Sequence, residues 1–187
     1  MHEPERVYVF IDGSNFYHLC KENLGRVDVD LGAFAAWLVG AERKLVRAYY
    51  YNCPLPPDSG ADAVRKQQKF FGVLSRTPYL EVRLGKLVRR RTTCRSCGAV
   101  EDRWTEKGVD MRIGIDMLSA ASKGHYGTAI LVSGDGDFAE AVQAVKDLGK
   151  HVEVASFPRG RADALVQAAD MYRNLTPEDM ARFFVNA

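Results

Sequence analysis

The stretch that decides the fold is Ile130-Leu131-Val132-Ser133-Gly134-Asp135-Gly136-Asp137-Phe138, in which an apolar run ends in a polar turn with two carboxylates. A second stretch has the same form, because Val7-Tyr8-Val9-Phe10-Ile11 leads directly into Asp12-Gly13-Ser14-Asn15. Short, continuously apolar runs of this kind are typical of buried parallel strands. Functional groups collect beyond the carboxyl ends of such strands in an open α/β sheet, so the sequence predicts one shared acidic site.

Strand-like and helix-like segments alternate along the rest of the chain. Strands are predicted at 7–11, 46–51, 129–133 and 151–156, and helices at 14–22 (capped by Ser14), 31–43, 61–75, 110–122, 138–148, 161–169 and 177–185. Residues 80–91 are predicted as a strand pair or ribbon, and residues 94–107 as a loop or short hairpin. This alternation predicts an α/β fold with a mostly parallel central sheet flanked by helices.

Composition narrows the class of protein. The chain has 187 residues, 47% of them hydrophobic and 27% charged, which fits a single domain over residues 1–187. There is no amino-terminal signal pattern, and the apolar run at 7–11 is too short to span a bilayer. Four cysteines do not make a disulfide framework in a chain of this length. We therefore expect a cytoplasmic protein with reduced thiols and no membrane association.

Acidic residues form the main candidate site. Asp12, Asp135 and Asp137 follow predicted strands, and Asp110 starts a predicted helix behind Gly108. Asp116 lies six positions further along that helix, about 240° around it, so Asp110 and Asp116 cannot both point squarely at one spot. Clustered carboxylates are hard oxygen ligands that suit Mg²⁺ or Mn²⁺. The alternative is that each Asp only caps a helix or forms a turn.

These residues carry a family resemblance. The motifs are Ile11-Asp12-Gly13-Ser14-Asn15-Phe16, Lys107-Gly108-Val109-Asp110 and Ser133-Gly134-Asp135-Gly136-Asp137-Phe138, in that order. Together they resemble the NYN domains of the PIN-like nuclease superfamily, most closely the LabA-like bacterial branch. The resemblance implies a Rossmann-like PIN fold and a metal-dependent ribonuclease site. It implies catalytic roles for Asp12, Asp110, Asp135, Asp137 and Asn15 and metal ligation by the four acids, with Asp116, a further acidic position of this branch, as an additional candidate metal ligand.

A basic segment precedes the Asp110 motif. Between Arg83 and Lys107 there are eight basic and three acidic residues, so the local net charge is +5 (8 − 3), against +2 for the whole chain. Such a cluster is the electrostatic footprint of a nucleic-acid site. We therefore predict RNA contacts at Arg89, Arg90, Arg91, Lys107 and Ser133, where Ser133, together with Asn15, would fix a carboxylate or the scissile phosphate. The alternative is a solvated basic ribbon.

A Cys-x-x-Cys motif lies within the insertion that we predict at about 80–107. The motif is Cys94-Arg95-Ser96-Cys97-Gly98, and it supplies two of the four ligands that a structural zinc needs. Two chains could complete a four-thiolate zinc site across a homodimer. Reduced thiols without zinc are the alternative.

The predicted function is a Mg²⁺- or Mn²⁺-dependent endoribonuclease that hydrolyses phosphodiester bonds of single-stranded or structured RNA. The alternative is a non-catalytic RNA-binding or regulatory module with the same fold. A phosphatase with an acidic nucleophile also uses strand-end aspartates. However, Asp12 lacks the second Asp two residues further on that such enzymes commonly have.

Overall fold

A computed structural model describes residues 3–93, 96–98 and 100–185, apart from the side chains of residues 101 and 103. The strands are β1 (Arg6–Asp12), β2 (Lys44–Asn52), β3 (Leu80–Leu84), β4 (Lys86–Thr93), β5 (Val100–Lys107), β6 (Thr128–Val132), β7 (His151–Ser156) and β8 (Met171–Asn174). The helices are α1 (Gly13–Leu24), α2 (Leu31–Val39), α3 (Ala61–Leu74), α4 (Val109–Ser122), α5 (Ala139–Asp147), α6 (Asp163–Ala168) and α7 (Pro177–Ala181). Short 3₁₀ turns occur at Pro57–Ser59 and Gly136–Phe138.

Six of these strands form one parallel sheet in the order β3-β2-β1-β6-β7-β8. The chain builds outward from β1 to β3 on one side and then from β6 to β8 on the other. The strand order therefore reverses between β1 and β6, which is the position where open α/β sheets bind ligands. The predicted α/β fold is confirmed.

Helices cover both faces of this sheet, as a parallel sheet requires. Side chains alternate along β1, so that Val7, Val9 and Ile11 pack on one face while Tyr8 and Phe10 pack on the other. The first face carries α1, α2, α3 and α7, and the second carries α4, α5 and α6. None of the helices in the described part of the chain is long and apolar enough to cross a membrane.

Strands β4 and β5 form a separate antiparallel hairpin, which we call the basic hairpin. It leaves the sheet at Gly85, where a Cβ atom would lie 2.6 Å from Cγ2 of Val109, so only glycine fits without displacement. The segment predicted as a strand pair or ribbon contains two strands, of which Leu80–Leu84 extends the central sheet as β3 and Lys86–Thr93 forms β4. The segment predicted as a loop or short hairpin forms all of β5, because its residues pair with β4.

Other differences from the predicted elements have local causes. Helix α2 ends at Val39 rather than at residue 43, because Arg43 folds back and its guanidinium donates to the carbonyls of Leu38 and Val39. Asp12, not Ser14, caps α1. The edge strand β8 was not predicted, since its sequence Met-Tyr-Arg-Asn has no apolar run.

Candidate active site

Asp12 is the buried centre of the site. It ends β1 and caps α1, and only 3% of its surface is exposed. Its Oδ1 accepts the backbone N–H of Asn15 at 3.1 Å, and its Oδ2 accepts the hydroxyl of Ser133 at 3.1 Å. The pKa of this carboxyl is raised to about 6, chiefly by burial. The charges of Asp110 and Asp135 contribute to the rise, and the two hydrogen bonds oppose it.

The loop after β6 is tied directly to the loop after β1. The backbone N–H of Gly134 donates to Oδ1 of Asn15 at 2.9 Å, and Ser133 Oγ accepts the N–H of Asp135 at 3.2 Å while it donates to Asp12. A Cβ atom on Gly134 would lie 2.3 Å from the carbonyl oxygen of Gly160, so the close approach of these loops requires glycine. The two strand ends are therefore held in one fixed arrangement.

Asp110 and Asp135 face the same cleft as Asp12. Asp110 lies in the first turn of α4, after Gly108, which adopts a positive φ of 82°. Burial raises the pKa of Asp110, and the charges of Asp135 and Asp137 raise it further. Carboxylates that raise one another's pKa are close enough to repel. The arrangement therefore favours binding of a cation between them.

The cleft has a volume of about 310 Å³, and its lining is mainly acidic but includes one lysine and several polar residues. Its lining comprises Asp12, Ser14, Asn15, His18, Glu106, Lys107, Gly108, Val109, Asp110 and Asp135. Glu106 was missed by the sequence analysis. It comes next to Lys107 at the base of the basic hairpin, and only the pairing of β5 with β4 brings that base to the cleft.

Three of the predicted site residues have other surroundings. Asp137 is exposed and does not line the cleft, although its charge reaches Asp110. Ser133 is 1% exposed, so it orients Asp12 and Asp135 and cannot contact RNA directly. Asp116 forms an ion pair with Arg83 and accepts the hydroxyl of Tyr51 at 3.0 Å. Asp116 therefore joins α4 to the sheet, it does not line the cleft, and metal ligation by Asp116 stays a prediction.

Arg83 is the partner that fixes Asp116. It extends from β3, ion-pairs with Glu81 at 3.1 Å, and lies over the ring of Tyr49, 3.9 Å from its centroid. These contacts join β2 and β3 to α4, the helix that carries Asp110 in its first turn.

The donor set fits a hard divalent cation. Among the described residues, no three Asp, Glu, His or Cys side chains already stand together as a complete metal-binding group. Mg²⁺ does not need such a group, because it keeps several water ligands and binds through one or two carboxylates. Asp12, Asp110 and Asp135 could supply oxygen ligands of that kind, and a cation would offset the burial and the mutual repulsion that raise the pKa of Asp12 and Asp110.

The basic hairpin carries the predicted RNA contacts Arg89, Arg90, Arg91 and Lys107. Cys94 lies outside the described residues, and Cys97 is an exposed free thiol, so zinc binding stays a prediction. Cys20 and Cys53 are buried. Arg89 and Arg91 both approach Asp102, at 2.8 and 3.8 Å, whereas Lys107 lines the cleft.

The six-stranded parallel sheet with helices on both faces is consistent with a PIN-like fold, and comparison with known proteins gives the family. Residues 6–176 match the NYN domain, so this chain belongs to the NYN domain family, whose members are generally nucleases or RNA-binding proteins. The resemblance predicted from the three motifs is confirmed.

Two individual proteins are similar over nearly the whole chain. Over 176 residues the chain is 29% identical to the Low amplitude and bright protein LabA of Synechococcus elongatus, covering 92% of this chain and 84% of LabA. A crystal structure of a protein of unknown function from Vibrio parahaemolyticus superimposes with a TM-score of 0.71 at 26% identity, covering 96% of this chain and 99% of that one.

Proposed function

We propose that this chain is a Mg²⁺- or Mn²⁺-dependent endoribonuclease that hydrolyses phosphodiester bonds in single-stranded or structured RNA. The observation that carries the proposal is the common cleft of Asp12, Asp110 and Asp135 at the point where the strand order reverses. Membership of a family of nucleases and RNA-binding proteins supports it.

Asp12 has the central role in this proposal. Two donors, the Asn15 N–H and the Ser133 hydroxyl, fix the direction of its carboxylate before any ligand arrives. With a pKa of about 6, Asp12 is ionised at neutral pH and carries a poorly solvated negative charge. A divalent ion bound here would polarise a phosphoryl oxygen and generate hydroxide from water. Asp110 and Asp135 would supply the remaining protein oxygens.

Asn15 and Lys107 are the proposed contacts to the phosphate. The Oδ1 of Asn15 is occupied by the Gly134 N–H, so its amide NH₂ is left to donate to a phosphate oxygen. Lys107 places a positive charge on the rim of an otherwise acidic cleft. Without such a charge the acids would repel the RNA backbone.

The second candidate is a non-catalytic RNA-binding module. It is favoured by one observation, namely that the described carboxylates do not already form a complete metal-binding group. In that case Asp12 would mainly fix the two loops, and RNA would bind at the rim without being cut.

A cleavage assay with matched variants separates the two candidates. Asp135→Asn keeps a helix-capping side chain but removes one ligand charge, so single-stranded RNA should be cut on the order of a hundredfold more slowly in Mn²⁺ or Mg²⁺. Asp147→Asn, at the far end of α5, removes the same charge outside the cleft and should cut at the wild-type rate. Cleavage that persists in excess EDTA or in Asp135→Asn would contradict the proposal.

A further inference from the structure

The basic hairpin has two faces with different electrostatic character. Side chains alternate along a strand, and directly paired residues of an antiparallel hairpin share a face. The register pairs Lys86 with Lys107, Val88 with Thr105, and Arg90 with Arg103 on one face. It pairs Leu87 with Glu106, Arg89 with Trp104, and Arg91 with Asp102 on the other.

On the second face the charges cancel. Its described charged residues are Arg89, Arg91, Asp102 and Glu106, two positive and two negative. Asp102 lies within 2.8 Å of Arg89 and 3.8 Å of Arg91. Leu87 packs against the core beside α4, so the base of this face is turned toward the body of the protein.

By register the first face carries four basic residues and one acidic residue, Glu101 opposite Thr92, so positive charge predominates on it. Lys86, Arg90 and Lys107 are positive, and none has an ion-pair partner among the described residues. Lys86 and Lys107 stand directly opposite each other, although like charges in that position destabilise a sheet. No ion pair with a described residue offsets this repulsion in the free protein, whereas a polyanion lying across the pair would remove it.

We propose that the RNA backbone runs from the acidic cleft along this first face, contacting Lys107, Lys86 and then Arg90, and that Arg89 and Arg91 do not grip it. This inference rests on the proposed function and specifies how RNA reaches the same site. Both faces reach the cleft, the first through Lys107 and the second through Glu106, and only the first does so with a positive charge.

The dimensions suit a short single strand. From Lys86 to Arg90 the strand rises roughly 13 Å at about 3.3 Å per residue. That distance corresponds to about four stacked nucleotides at ~3.4 Å each. An isolated two-stranded hairpin is only marginally stable in water, so RNA on its basic face would also stabilise it.

Two charge-matched double variants test this path. Lys86→Ala with Arg90→Ala, and Arg89→Ala with Arg91→Ala, each remove two positive charges from the same hairpin. Binding of a labelled single-stranded RNA of about 12 nucleotides is measured by fluorescence anisotropy in EDTA, from about 50 to 200 mM salt. The first variant should flatten the slope of log affinity against log salt by about 1.4, or ~0.7 per lost contact, and the second should leave it unchanged. Lys86→Arg with Arg90→Lys should retain the wild-type slope.

The outcomes distinguish this inference from the proposed function. Equal flattening by both double variants, or a larger effect of Arg89→Ala with Arg91→Ala, would overturn the path. A wild-type chain that binds no RNA, or that binds it with no salt dependence, would also overturn it. If RNA binds through the first face but is never cut in Mn²⁺ or Mg²⁺, the path is supported and the ribonuclease proposal fails.

Discussion

Replacement of Asp12 by Asn should stabilise the protein at neutral pH in the absence of metal while abolishing its activity. The pKa of Asp12 is raised from 3.8 to about 6, chiefly by burial. At 1.36 kcal/mol per pKa unit, ionising this group in the folded state costs about 3 kcal/mol more than in the unfolded chain. Asn is as good a helix cap as Asp, so the hydrogen bond from Asn15 can be kept.

The sign of this effect depends on pH in a definite way. Below about pH 4 the carboxyl is protonated in both states, so wild type and Asp12→Asn should have similar free energies of unfolding. Between about pH 4 and pH 6 the unfolded chain ionises this carboxyl before the folded protein does, so the wild type loses stability as the pH rises, and above about pH 6 the variant should be more stable by up to about 3 kcal/mol. Urea denaturation in EDTA at several pH values between about 4 and 8 measures this difference.

Metal provides the second half of the test. At a free concentration of 100 times its dissociation constant, Mg²⁺ or Mn²⁺ should stabilise the wild type by about 2.7 kcal/mol, and should stabilise Asp12→Asn much less. A variant that is equally destabilised at pH 4 and pH 8 would refute the reasoning, because Asp12 would then be stabilising through its contacts rather than destabilising through its charge.

Two further predictions concern the supports of the site. Arg83→Ala removes the ion pair with Asp116, and both side chains of this pair are only partly exposed. The free energy of unfolding measured in urea should fall by about 2 kcal/mol, a value between those of exposed and buried ion pairs. A double-mutant cycle with Asp116→Asn should show that the two effects are not additive. Gly134→Ala should lower the free energy of unfolding by about 2 kcal/mol or more, because the new Cβ would clash with Gly160. In Gly72→Ala in α3 nothing lies within 4 Å of the new Cβ, so this control should be neutral or stabilising in thermal unfolding.

The sequence predicts most of the fold because the central strands are short apolar runs. The runs that became β1 and β6 are buried along almost their whole length, and each ends in a motif that is readable without a structure. Strands β5 and β8 could not be predicted in this way. Strand β5 is rich in charged residues and is ordered by pairing with β4, and β8 is a short polar strand at the edge of the sheet.

In the candidate site, too, the residues that follow apolar strands could be predicted, whereas contacts made through long-range pairing could not. Asp12 and Asp135 could be predicted to meet, since parallel strands end at one edge. For Ser133 the sequence left open whether it fixes a carboxylate or the scissile phosphate, and its burial and hydrogen bonds place it on the carboxylate of Asp12. Helical geometry correctly disfavoured Asp116 as a partner of Asp110. Its actual partner, Arg83, depends on β3 joining the sheet, which no local pattern indicated.

The two ends of the basic hairpin lie side by side, because Lys86 pairs with Lys107 and the Cβ position of Gly85 lies 3.1 Å from the Lys107 carbonyl oxygen. The chain therefore leaves the body of the protein after β3 and returns to the same place before α4. An engineered exchange of residues 86–107, with Gly85 and Gly108 as junctions, should therefore leave every strand of the central sheet in place. Because Glu106 and Lys107 line the cleft, such an exchange would keep Asp12, Asp110 and Asp135 while changing the charges beside them.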